Sequence, residues 1–257
     1  MSQLQKKIAR IQRREGTSMG FGAAVREQPR AMLLAAVAND VKEGRKAIEA
    51  GADVVLLAAA TPAAAVSAVE AFAADKTTVG VWTSALDEAG AEALSKAGCD
   101  FVVSSLEGTA SAAVDTERMG QLVAANEAMD DTTLRSLAPL GLDGLFVERP
   151  AGAMTLAQQL GLVRISSFAS SQLMATIDAA ATVSDLRVLR DSGVATVVVP
   201  AGTSAEQIKK VVDALKAVPA PRKGGKGEGR EMAIVPASSG GHTHEEEEDD
   251  DDDDDDE

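Results

Sequence analysis

Among its 257 residues the chain has no tyrosine, one tryptophan, one cysteine and two histidines. A lone thiol, Cys99, forms no internal disulfide, and the basic N-terminus has no apolar run after it, so the chain reads as cytoplasmic. Long hydrophobic stretches are missing too. The most apolar one, residues 54–69, is interrupted by Thr61, Pro62 and Ser67 and falls short of the roughly 20 residues that span a bilayer. No membrane span is expected. Both histidines, His242 and His244, sit near the C-terminal end. What remains is an apolar, acidic sequence, 45% hydrophobic with a net charge of −15, which is enough apolar material for a substantial core.

The charge is unevenly placed. The last thirteen residues, Glu245 to Glu257, are all acidic. Residues 1–30 are net basic, residues 31–218 are moderately acidic, and from Pro219 the composition turns to Pro, Gly, Lys and Ser. Three regions follow: a basic N-terminal helical arm over 1–30, a patterned body over 31–218, and a linker with an acidic tail over 219–257. The tail region buries too little apolar surface to offset the entropy of ordering it, so disorder is expected there.

Within the body, eight apolar runs recur: MLLAAV (32–37), DVVLLAA (53–59), TTVGVWTS (77–84), DFVVSS (100–105), QLVAAN (121–126), LDGLFVE (142–148), QLMATI (172–177) and VATVVVP (194–200). Four are introduced alike, by AGAD, AGCD, LGLD and SGVA, a helix-ending glycine followed by a short turn into a buried strand. Between the runs lie helix-forming segments with apolar spacing near 3.6, such as DVKEGRKAIEAG, LDEAGAEALSKAG and SAEQIKKVVDALKAV. Eight parallel βα units in one region close into a (βα)8 TIM barrel with its helices outside. The fourth connection, LEGTASAAVDTERMG, carries Gly and Thr and reads as loop plus a short helix.

Barrel chemistry sits where strands end and βα loops begin. No histidine, tyrosine or strand-ending lysine stands there, which excludes an imidazole base, a Ser-His-Asp triad and a Schiff-base lysine from the mouth. Carboxylates are left for acid-base work. Glu127, Glu148 and Asp178 end strands five, six and seven, and neighbouring strands lie about 4.8 Å apart, so the three are expected as catalytic groups or as ligands of Mg²⁺ or Mn²⁺. Asp178 has an alternative role in capping its own loop. Glu148 and Arg149 must point to opposite sides of an extended chain, and Arg149 offers a bidentate anion grip. A second anion site is expected at Gly202, Thr203 and Ser204, where strand eight meets a helix N-terminus. There, Thr203 with Glu206, like Thr182 with Asp185, also has capping-box spacing. Trp82 either stacks on a ligand or fills the upper barrel. Cys99 precedes strand four and reads as a buried small apolar residue.

The body resembles the aldolase-type and phosphate-binding (βα)8 enzymes through AGADVVLL and SGVATVVVPAGTSAEQIKKVV. More narrowly, 121–162, with Glu127, LGLDGLFVERP and TLAQQLGL, looks like the metal-binding stretch of pyruvate-type class II aldolases. In that family a strand-five Glu and an Asp soon after strand six bind the metal. Glu127 matches the first. No Asp near Gly152 matches the second, and the family's His and Arg have no counterparts. The resemblance implies either a metal-assisted lyase or a barrel that has lost its original reaction.

Over residues 1–16 a basic helix would place Leu4, Ile8 and Ile11 on one face, a stripe suited to docking on the barrel or on a protein partner, including a second copy. The acidic body and tail oppose nucleic-acid binding. The sequence therefore supports a small-molecule enzyme, a lyase or isomerase acting on an oxyacid or phosphorylated metabolite. The alternative is a non-catalytic barrel that binds or assembles through its charged termini.

Overall fold

The computed structural model describes residues 1–14 and 30–219. The rest of the arm, and the linker and acidic tail with His242 and His244, lie outside the described residues. Eight strands form a closed, all-parallel barrel in sequence order: β1 (Leu33–Ala38), β2 (Val54–Ala58), β3 (Val79–Trp82), β4 (Phe101–Ser104), β5 (Gly120–Ala125), β6 (Gly144–Val147), β7 (Leu173–Thr176) and β8 (Val194–Val199). β8 returns to pair with β1 through Leu33↔Thr196 to Ala36↔Val199. Each strand falls inside its apolar run or within one residue of it, because nearly every strand residue is buried and buried parallel strands read as unbroken hydrophobic segments.

Helix α1 (Gln3–Arg14) precedes the barrel; α2 (Val41–Glu49), α3 (Pro62–Ala74), α4 (Glu88–Ala97), α5 (Asp131–Leu137), α6 (Leu156–Ala169), α7 (Val183–Asp191) and α8 (Ala205–Ala217) surround it. Gly98 ends α4 at φ +94° and Gly193 follows α7 at φ +90°, left-handed positions that the repeated glycine before each strand anticipates. The fourth unit departs from expectation, since residues 105–119 form turns and no α-helix. Two of their backbone groups pair with the third unit's loop instead. Leu86 donates its N–H to the Gly108 carbonyl at 2.9 Å and accepts from the Ala110 N–H at 2.9 Å.

The barrel interior is filled by Leu33, Leu56, Phe101, Val103, Leu122, Phe146, Met174 and Val198. Phe101 fits because β3 carries Gly80 beside it; a Cβ there would lie 2.3 Å from the ring. Two further apolar layers lie between the sheet and the outer helices. Helix α1 closes the bottom of the barrel, its Leu4 and Ile8 joining the interior cluster. Of the two surfaces expected to receive this stripe, the barrel takes Leu4 and Ile8.

The docking is polar as well as apolar. Asp53, Asp100 and Asp143 stand just before β2, β4 and β6, at the aspartates of AGAD, AGCD and LGLD. Asp100 accepts the Gln3 and Leu4 amides at 2.6 and 2.9 Å, capping α1 at the end where its amides are unpaired. Asp143 accepts the Ser2 hydroxyl. Asp53 accepts the Leu34 amide at 2.9 Å and pairs with Arg30 at 2.9 Å, while its carbonyl receives Lys7 Nζ at 2.6 Å. Burial pushes the Asp143 carboxyl above its ordinary value and lowers Lys7. Cys99, in the same region, is buried and its thiol is pushed up to about 12, which suits a packing residue and not a nucleophile.

Candidate functional site

The opposite, C-terminal face carries the strand-end residues. Trp82 from β3 meets Phe146 from β6 inside the barrel, with ring centroids 4.8 Å apart and tilted by 54°, so the indole fills the upper barrel. At β1, Asp40 caps α2 by accepting the Glu43 amide at 2.7 Å. Glu43 turns back to accept the Asn39 amide at 2.9 Å, and it also receives the Gly202 amide across the β8 loop. No local pattern in the sequence signals this last contact, which joins residues 159 apart.

That contact bears on the expected anion site at Gly202, Thr203 and Ser204. Gly202 already faces a carboxylate from the chain itself. Thr203 donates its hydroxyl to the Pro200 carbonyl at 2.6 Å. Ser204, one residue later than expected, is the cap of α8 and forms the capping box with Gln207 in place of Thr203 with Glu206. Thr203 turns its hydroxyl back to Pro200, and Ser204 is the residue whose hydroxyl accepts the Gln207 amide at 3.3 Å. The box of Thr182 with Asp185 forms as spaced.

The three strand-end acids are held separately. Glu127 is exposed and its carboxylate lies against Gly161 of α6, where a Cβ would come within 2.7 Å of Oε1. Arg164 of α6 fixes that loop by pairing with Asp131 at 2.7 Å and donating to the Glu127 carbonyl at 3.2 Å. Asp178 is exposed and accepts the Ala180 amide at 2.9 Å, the local capping role. Glu148 is exposed and lies one residue past the end of β6. Among the described residues no group of three His, Cys, Asp or Glu side chains is close enough to hold a metal ion. The three acids therefore do not assemble the three-carboxylate Mg²⁺ or Mn²⁺ site expected of them.

Arg149 takes the other side of the β6 strand end. Its amide donates to Thr176 Oγ1 at 2.7 Å, which ties the sixth loop to β7. Arg149 lines a 220 Å³ cleft between the sixth and seventh units, together with Met154, Ile177, Asp178, Asp185 and Leu189. One terminal nitrogen, Nη1, reaches the Thr176 carbonyl at a long 3.4 Å. The guanidinium is half-buried, its Nε is buried without a hydrogen-bond partner, and among the described residues no carboxylate pairs with it. Burial lowers its proton affinity, and the Asp185 charge acts in the opposite direction. Asp185 is itself held below the usual carboxylate range, first by the Thr182 hydroxyl and amide and then by Arg149. An unpaired cation in a half-dry cleft costs stability unless an anion joins it. Sequence reasoning marks Arg149 and Asp178; it misses Thr176, Asp185 and the apolar wall, which only the closed ring brings together.

Comparison with known proteins agrees with this architecture. Tryptophan synthase from M. tuberculosis superposes with a TM-score of 0.60 at 11% identity, covering 85% of this chain and 98% of that one. KGPDC from Streptococcus mutans, solved in complex with a ligand, gives 0.58 at 13% identity over 73% of this chain and 99% of that one. A mutant tryptophan synthase alpha-subunit from the hyperthermophile Pyrococcus furiosus gives 0.56 at 11% identity over 74% and 98%. The chain has the aldolase-type TIM-barrel fold. At these identities the likeness establishes the fold alone. No family model and no curated protein sequence matches the chain. Among the described residues no helix is long and apolar enough to cross a membrane.

Proposed function

We propose that the chain is a small-molecule TIM-barrel enzyme, a lyase or isomerase that handles a small oxyacid in the cleft between its sixth and seventh units. The observation that carries this reading is the half-buried, unpaired Arg149 guanidinium at the C-terminal face, where barrels of this fold hold their substrates. Arg149 grips the substrate's anionic end. Asp178, on the same cleft and bonded through one oxygen only, takes the proton from the carbon next to the substrate's carbonyl. That the similar folds include tryptophan synthase, and KGPDC with a ligand bound, supports an enzyme reading. No step is routed through a metal, because the carboxylates do not converge on one.

The test is proton exchange. Incubation of the protein in D₂O with a panel of 2-oxo and 2-hydroxy acids should label the carbon beside the carbonyl or hydroxyl of at least one, as read by NMR. Asp178→Asn and Arg149→Met should abolish the labelling. Binding of an acid with no exchange in any member of the panel would leave the non-catalytic binding module as the better reading.

A further inference from the structure

The charges around the cleft are not those of a phosphate site. One cation, Arg149, and two acids, Asp178 and Asp185, line the same cleft of 220 Å³. A phosphate dianion placed on Arg149 would lie beside both carboxylates, and repulsion at such distances is strong where water is partly excluded. A ligand with one negative and one positive group meets no such penalty. It satisfies Arg149 and at the same time neutralises an aspartate.

Size and wall chemistry narrow the class further. A dry cavity of about 150 Å³ accepts benzene, so a somewhat larger cleft has room for an apolar body of that size with a charged head. Apart from the charged groups, the lining is Met154, Ile177, Leu189, Gly152 and the alanines of the two loops. Asp178 has an oxygen to spare, because only one of its oxygens accepts the Ala180 amide. Asp185 has both Thr182 groups on a single oxygen and is fixed at the start of α7.

From this arrangement we infer that the cleft binds a zwitterionic α-amino acid with an apolar side chain, its carboxylate on Arg149, its ammonium on Asp178 and its side chain against Met154, Ile177 and Leu189. The inference rests on the Arg149 cleft being a ligand site and takes Asp178 as the ammonium's counter-ion, a role alternative to the proton acceptor of the proposed reaction, so the titration and the exchange experiment decide between the two.

The experiment is calorimetric titration of the full chain with L-leucine, 4-methylpentanoate, 3-methylbutan-1-amine and inorganic phosphate. L-Leucine should bind at least tenfold tighter than 4-methylpentanoate, which has the same body and carboxylate but no ammonium. Asp178→Asn, which keeps an acceptor for the Ala180 amide, should erase that ratio and tighten 4-methylpentanoate binding, because it removes one of the two carboxylates that repel an anion on Arg149. Arg149→Met should abolish binding of both, with Arg149→Lys and a circular-dichroism melt separating loss of the grip from loss of the fold. If 4-methylpentanoate or phosphate binds as tightly as leucine in an Arg149-dependent way, the amino-acid inference is wrong and the anion-binding cleft stands. If none of the four binds, both the inference and the cleft reading beneath it fall.

Discussion

The two ends of the barrel use the same residue types in opposite ways. At the lower end Asp53, Asp100 and Asp143 precede alternate strands, and each is occupied by the chain: two amides of α1, the Ser2 hydroxyl, the Leu34 amide and Arg30. At the upper end Glu127, Glu148 and Asp178 follow successive strands and stay exposed, while the nearby Arg149 has a buried Nε with no partner. Charged groups whose bonds are all made within the fold hold it together. Those left with spare bonds at a concave surface cost stability, and a ligand is the usual reason for keeping them.

The comparison breaks most readily from below. Leu4 is buried to 1% exposure inside the barrel's bottom, so Leu4→Ala should cost about 2–5 kcal/mol of unfolding free energy in denaturant titrations. A loss under about 1 kcal/mol would mean that α1 only rests on the surface. Asp100→Ala removes the acceptor for two helix-start amides and should cost about 1–3 kcal/mol, with hydrogen exchange rising first in α1.

A smaller effect sharpens the contrast through pH. Burial raises the Asp143 carboxyl above its ordinary value, so the folded state holds this proton more tightly than the unfolded state does. The stability that protonation brings is fully present below the unfolded value of 3.8 and is lost as pH rises through the folded one. Wild type should therefore gain on Asp143→Asn as pH falls from 7 towards 4, measured as the difference in denaturant midpoint. A constant difference would show that the carboxyl is not strained by its burial.

How far these ends are legible follows from the range of the interactions. Strands buried on both faces announce themselves as apolar runs, which is why all eight can be located and the ring inferred. The fourth connection reads as weak from its Gly and Thr, but its bridge to Leu86 is a tertiary contact that decides against even a short helix. The aspartates of AGAD, AGCD and LGLD are visible as a repeat. Their role is not, since Asp100 meets α1 from 96 and 97 residues away. Likewise, β-strand spacing places Glu127 and Asp178 at one face correctly, yet Glu127 is directed by Gly161 and Arg164 of a later helix. Two adjacent hydroxyls, Thr203 and Ser204, compete for one cap; Thr203 bonds to the Pro200 carbonyl and Ser204 accepts the helix amide.

The division between an occupied lower end and a spare upper end is tested most directly by the stability of Arg149→Met, measured by denaturant titration beside Asp100→Ala. The account predicts that replacing the unpaired cation leaves unfolding free energy unchanged within about 0.5 kcal/mol or raises it, while binding of small acids is lost. A fall comparable to that of Asp100→Ala would make Arg149 a structural residue and remove the cleft's claim to be a site.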